Sequence, residues 1–133
     1  FLNTVSAFAN YKDGEIIFGI DDKGEYIGIE NVDEECLRIE QMINDSIEPV
    51  PDFSIELEKV NGKTIIILNV KKGKDTPYYY HGRAYKRSDT STLEVDRFEL
   101  RRLASEGLNL NYEEKKASTQ NLSFSILELK VSI

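Results

Sequence analysis

Basic side chains gather in one stretch of the chain, at a spacing that suits a line of phosphates. Arg83, Lys86 and Arg87 lie within one short segment, with Lys71, Lys72 and Lys74 just before it. Tyr78, Tyr80 and Tyr85 interleave with them and could stack on bases or on a core. A solvated strand face is the plain alternative for such a patch. Asp21 and Asp22 are hard oxygen donors that could hold a divalent ion. They also begin Asp21-Asp22-Lys23-Gly24, a turn sequence in which Asp makes local hydrogen bonds, and that is the plainer reading. Asn10 could contact phosphate or stabilise the turn before Gly14. His81 beside Gly82 reads as a turn residue, and no neighbouring Ser or Cys elbow supports a hydrolytic triad. One cysteine and one histidine exclude a disulfide framework, a cysteine metal cage and a multi-histidine zinc site. Gly14, Gly19, Gly24 and Gly28 match neither a G-x-x-x-x-G-K-S/T loop nor a dinucleotide fingerprint.

The elements that must position these residues alternate between helix and strand. Phe1, Val5 and Phe8 share one helical face, and Asn10 to Gly14 is a turn cluster. The run Ile16 to Ile20 predicts a strand buried on both faces, turning at Asp21–Gly24 and returning over Glu25–Ile29. A helix follows from Asn31, with Asn31 and Glu34 as a capping-box pair. Its apolar stripe is Val32, Cys36, Ile39, Ile43 and Ile47, and Pro49 and Pro51 stop it. Cys36 therefore reads as core packing. Phe53, Ile55 and Leu57 alternate with polar residues as a half-exposed strand. Asn61-Gly62 is a hairpin signal leading to a central strand over Thr64–Val70. Lys71–Thr76 is a polar loop, and a third hairpin turns at His81-Gly82. Asp96 to Ser105 predicts a short basic helix with Arg97, Arg101 and Arg102. Beyond Asn109, Leu122, Phe124 and Ile126 suit a strand, whereas Ile126, Leu129 and Ile133 suit a helix. The class is α+β: a mixed, mainly antiparallel sheet built from hairpins and packed by two or three helices.

Charge is uneven along the chain. Residues 1–60 hold 15 acidic and 4 basic side chains, whereas residues 71–102 hold 9 basic and 5 acidic. The total of −7 opposes diffuse binding to phosphates, but a basic strip segregated by the fold could still bind. Apolar runs are of strand length, so no segment spans a membrane, and no charged secretory start is present. A cytoplasmic domain is the default. The chain opens on Phe1-Leu2 and reads as a segment of something longer.

Three stretches, taken together, carry a family likeness. They are Val5-Ser-Ala-Phe-Ala-Asn10 continuing to Ile29, the segment Pro77-Tyr-Tyr-Tyr-His-Gly-Arg-Ala-Tyr-Lys-Arg-Ser-Asp-Thr-Ser-Thr92, and Leu110-Asn-Tyr-Glu-Glu114. Their order and spacing resemble the Schlafen AlbA-like (divergent AAA) domain of bacterial transcriptional regulators and RecG-type helicase-related proteins. The resemblance implies a domain over residues 1–108 and a tail or extension over 109–133. It implies a non-catalytic nucleic-acid-binding module, with DNA favoured over RNA, using Arg83, Lys86, Arg87, Lys71, Lys72, Lys74, Asn10 and Thr90.

Some Schlafen relatives are metal-dependent ribonucleases. Their site draws on two upstream glutamates and an aspartate after the buried strand, and only Asp21 has a match here. Mg²⁺ or Mn²⁺ enters only under that alternative; otherwise no metal or cofactor is expected, and any ATP would bind a neighbouring domain. Schlafen-type cores set two lobes side by side, so one lobe implies a homodimer; a pure dimerisation domain is the third alternative. The sequence departs from the family where Asp13 and Asp89 replace glycines and Leu93 replaces an arginine, which weakens two phosphate-facing features.

Overall fold

The computed structural model describes residues 1–121, with side-chain surroundings as far as Glu113, and the predicted elements at 122–133 lie outside the described residues. Elements run α1 (Leu2–Tyr11), β1 (Gly14–Phe18), α2 (Val32–Ser46), β2 (Ile47–Glu48), β3 (Phe53–Val60), β4 (Lys63–Val70), β5 (Tyr79–Tyr80), β6 (Arg83–Ser88), β7 (Ser91–Glu94) and α3 (Arg97–Asn121). The class is α+β, and the strands form two antiparallel sheets, ordered β1-β4-β3 and β2-β5-β6-β7. Turn chemistry explains much of this. Asn61 and Gly62 have φ of 53° and 79°, the left-handed pair that a two-residue hairpin needs, and they join β3 to β4. His81 and Gly82, at 51° and 73°, do the same between β5 and β6.

The main core lies between α1, α2 and the central strand β4. Ile39, Ile43 and Ile47 are buried along the predicted stripe, against Val5, Ala9, Ile66, Leu68, Val70 and Tyr78. Cys36 is partly buried at the edge of this cluster, and burial pushes its thiol up from the ordinary range. A second cluster of Ala84, Val95 and Leu103, flanked by Tyr11, Tyr79 and Leu100, seats α3 on the four-stranded sheet.

α1 is fastened to that sheet by buried polar groups. The register pairing Tyr79 with Ala84 would next pair Tyr78 with Tyr85, but the strands part there. Ser6 and Asn10, one helical turn apart on α1, fill the gap. Ser6 Oγ donates to Tyr78 O at 2.7 Å and accepts from Tyr85 N at 3.3 Å. Asn10 Nδ2 donates to Tyr78 O at 3.1 Å and Tyr85 O at 3.3 Å, while Tyr78 N donates to Asn10 Oδ1 at 2.6 Å.

Four sequence expectations change. β1 is not buried on both faces: it bonds only β4, and Ile17 is 44% exposed. An apolar run reads the same at a sheet edge as at its centre. Glu25–Ile29 returns without forming a strand; an Ile20–Tyr26 bridge, the Ile27 and Gly28 amides donating to Gly19 O, and Ile29 N donating to Thr64 O tie it down. Asn31 stands at the N-cap of α2, but its side chain makes no capping bond; Asp33, Glu34 and Glu35 supply the favourable charge of the first turn. The basic helix does not stop near Ser105. It continues as α3 through Gly107, where the backbone of Thr76 comes so close that any β-carbon would collide with the Thr76 carbonyl. Thr76 Oγ1 donates to Leu103 O at 2.6 Å in the same contact. Gly107 is a docking notch inside the helix.

Asn10→Ala takes the side-chain partner from the Tyr78 N–H and the Tyr85 carbonyl and leaves the Tyr78 carbonyl to Ser6 alone. Such unpaired groups cost about 1–3 kcal/mol, and the expected fall in melting temperature is about 5–15 °C. Thermal unfolding followed by circular dichroism reads it, and an unchanged midpoint would refute the structural role given to Asn10.

Candidate nucleic-acid interface

Alternation along β6 divides its cations. Arg83, Tyr85 and Arg87 share one face, while Ala84 and Lys86 share the other. Ala84 is buried in the second cluster, which turns Lys86 toward α3. Lys86 Nζ lies 2.7 Å from Glu99 Oε1, and Tyr11 Oη donates to Glu99 Oε2 at 3.4 Å. Burial first, then the charge and acceptor of Glu99, push the Tyr11 phenol up to about 12. Lys86 is thus held in a helix–sheet contact.

The other face is open. The Arg83 side chain is 66% exposed, with Nε 3.3 Å from Glu94 Oε1. Arg87 Nη1 donates to Thr92 Oγ1 at 2.8 Å, its partner across the β6–β7 pair, and Thr92 in turn meets Thr4 of α1 at 2.8 Å. Arg97, at the start of α3, lines the same cleft of about 320 Å³ as Arg83, above Ala84, Val95 and Leu100. Neither Arg97 nor Arg101 makes an ion pair among the described residues. The half-buried Tyr80 ring lies 4.2 Å from His81 and 6.4 Å from Tyr85, centroid to centroid. Tyr78 is only 3% exposed and has no face free for stacking.

Several candidates stand elsewhere. Lys71, Lys72 and Lys74 occupy the connection between the two sheets, not a strand or hairpin shared with Arg83 and Arg87. Lys71 N donates to Asp52 O at 2.9 Å and Lys72 N to Asp13 Oδ1 at 2.7 Å, among acidic neighbours. Lys71 also lines a hollow with Asp13, Glu15 and Glu56. Asn10 is 0% exposed and its amide is spent on strand backbone, so it offers no surface to a phosphate. Thr90 is exposed in the β6–β7 turn.

Asp21 Oδ1 accepts from Lys23 N at 2.9 Å and Glu25 N at 2.8 Å, the local turn chemistry its type suggests. Among the described residues, no group of three or more His, Cys, Asp or Glu side chains is placed to hold a metal ion. No helix among them is long and apolar enough to cross a membrane. Sequence reasoning named Arg97 as part of a basic helix, yet it had no signal that this residue faces Arg83. That pairing arises from the seating of α3 against Ala84.

The arrangement defines an α+β domain whose first helix wedges two strands of a basic-edged sheet apart. The sequence pattern of the Schlafen AlbA_2 family matches residues 1–96, and the chain belongs to that family. No curated protein matches the chain significantly. Among solved structures, the DIP2311 protein of Corynebacterium diphtheriae is similar, at 30% identity and TM-score 0.59 over 74% of this chain. The match spans 17% of that protein's length. The N-terminal domain of an ATP-dependent DNA helicase RecG-related protein from Nitrosomonas europaea is similar at 25% identity and TM-score 0.52, over 72% of each chain.

Two of the three departures from the family pattern, Asp89 and Asp13, have local explanations. Asp89 has φ of 55°, a left-handed turn conformation that glycine would adopt freely and Asp tolerates. Asp13 receives the Lys72 amide, and Gly14 leaves room for the Phe8 ring.

Tyr11 gives a test of the α1–α3 contact. Its proton is held more tightly in the folded state, so stability is complete below pH 10 and falls as pH rises toward 12. Tyr11→Phe is expected to flatten that fall in denaturant titrations across this window. If the variant and the parent lose stability equally, Tyr11 does not report on Glu99.

Proposed function

We propose that this chain is a nucleic-acid-binding module, favouring DNA over RNA, within a bacterial transcriptional regulator. The observation that carries this reading is the division of charge between layers. Eight of the fifteen acidic residues of 1–60 lie on α2, β1 and β3, and of the fifteen only Glu48, on β2, belongs to the four-stranded sheet, while Arg83, Arg87, Arg97 and Arg101 belong to that sheet and the head of α3. Arg83 and Arg87 stand on one exposed face of one strand, four residues apart, about 13 Å along an extended chain. That separation lets the two guanidinium groups reach different phosphates of a single strand. Tyr80 and Tyr85 lie beside them and offer ring surface. The name of the Nitrosomonas relative, an ATP-dependent DNA helicase RecG-related protein, points the same way.

In this reading the module is non-catalytic and works through backbone contacts without a cofactor. Arg97 and Arg101 replace Lys71, Lys72 and Lys86 in the contact set. Pairing of two copies belongs to the same proposal, since two basic strips lining one groove would concentrate a field that the net charge conceals. Light scattering on this segment and on a longer piece of the protein reads that pairing: dimers in both support it, and a monomer in both removes it.

Arg83→Ala with Arg87→Ala is expected to weaken binding to all sequences alike. It should flatten the salt dependence by about one unit per lost phosphate contact. Fluorescence anisotropy with short single- and double-stranded DNA and RNA measures this, and an unchanged slope in the double variant would take β6 out of the binding surface.

A further inference from the structure

The large apolar side chains most open to water are concentrated on one element. Phe98, Leu108 and Tyr112, at 75%, 73% and 67%, are the three most exposed among the described residues, and all belong to α3. A helix turns by about 100° per residue, so the three fall within an arc of about 80°. Arg101 and Ser105, also exposed, lie in the same arc. The stripe Phe98, Arg101, Ser105, Leu108 and Tyr112 thus repeats at intervals of three and four, the period of a helix that packs along another helix. The domain uses the opposite side of α3, where Leu103 and Gly107 are buried and Leu100 packs beside them. Every residue from Leu108 to Glu113 is exposed.

Charge points to what would cover the stripe. The head of α3 carries Arg97, Arg101 and Arg102, whereas the stretch from Leu108 to Glu113 has no cation and ends on a carboxylate. The helix is therefore complementary to itself turned end for end. In an antiparallel pair, a two-fold axis at Ser105 sets Phe98 against the partner's Tyr112 and brings Arg97 level with the partner's Glu113. Arg101 and Arg102 then lie beside the partner's Leu108, where their stems cover the methyl groups while the guanidinium groups stay in water. Ser105 is small, which lets the two helices approach at the crossing point. A parallel pair would instead bring the arginines of both heads together.

We propose that the outer face of α3 pairs with the same face of a second copy of this chain, antiparallel and centred on Ser105. The proposal rests on the pairing of copies in the functional reading above and gives that pairing a surface, the same patch on both partners. From Arg97 to Glu113 the seam is about 24 Å long. That is small beside interfaces that bury about 800 Å² on each partner, so dissociation in the micromolar range or above is expected.

The test reads mass and then direction. Sedimentation velocity on the parent chain, from micromolar to submillimolar concentration, is expected to show a monomer–dimer equilibrium. Phe98→Asp with Leu108→Asp is expected to weaken the dimer by about tenfold or more. Its thermal midpoint should match that of the parent at a concentration where both are monomers, because both side chains are exposed. Direction is read by single cysteines oxidised on a Cys36→Ser background. Ser105→Cys is expected to cross-link to itself, and Phe98→Cys to cross-link to Tyr112→Cys in a mixture but not to itself. Self-cross-linking of Phe98→Cys without a mixed product shows parallel pairing and overturns the arrangement. A dimer that survives the double aspartate variant overturns this seam and leaves the pairing of copies to another face. A parent that stays monomeric throughout overturns the seam and the pairing together, and the stripe then belongs to a different partner.

Discussion

The structure depends on a wedge of two polar side chains between two strands. Ser6 and Asn10 enter where β5 and β6 part and satisfy the backbone of Tyr78 and Tyr85, which would otherwise be buried without partners. The exchange is favourable because each group keeps a hydrogen bond away from water, where leaving one unmade costs more than making one gains. Among the described residues, no fully buried side-chain nitrogen or oxygen lacks a partner. The wedge also explains the small residues around it: Ala7 and Ala9 are buried, and a larger side chain at either would lift α1 from the sheets.

From this joint the rest of the surface follows. With α1 locked against β6, alternation leaves Arg83 and Arg87 facing solvent and turns Lys86 toward Glu99. α3 is seated by Val95 and Leu103 and by the notch at Gly107, and its seating carries Arg97 to the cleft that Arg83 borders. The cations that are adjacent in sequence thus separate, and cations from two different elements converge. Ion pairs with exposed partners, such as Arg83 with Glu94, contribute little to stability, so they leave these side chains available for a ligand.

Much of the framework was legible in the sequence because it rests on local rules. The stripe Ile39, Ile43 and Ile47 follows from helical period, the turn at Asn61-Gly62 from left-handed backbone preference, and Asp21 from Asx-turn chemistry. The strand expected at the centre, Thr64–Val70, is central, bonded by β1 on one side and β3 on the other. The family likeness was legible for the same reason, since its motifs are mostly turns and buried wedges. Asn10 is a motif residue because it braces strands, not because it meets a ligand.

Other features had no local signal. An apolar run does not say whether its strand is central or at an edge, or whether both of its faces are covered; β1 bonds a single neighbour, and Ile17 stands on its more exposed face. Nothing local marks Gly107 as a packing position; the backbone of Thr76, distant in sequence, sits against it. The short strands β2 and β7 depend on their partners, Tyr79–Tyr80 and Tyr85–Ser88, more than on their own residues. What the sequence by itself determined is where the chain turns, which helix faces are apolar and where cations are concentrated, because each depends on residues within a few positions. Which of those cations face the same water, and which are spent on a carboxylate, was decided only by tertiary structure. That choice depends on the side of a strand and the seating of a helix, and both are set by contacts between residues far apart in the chain.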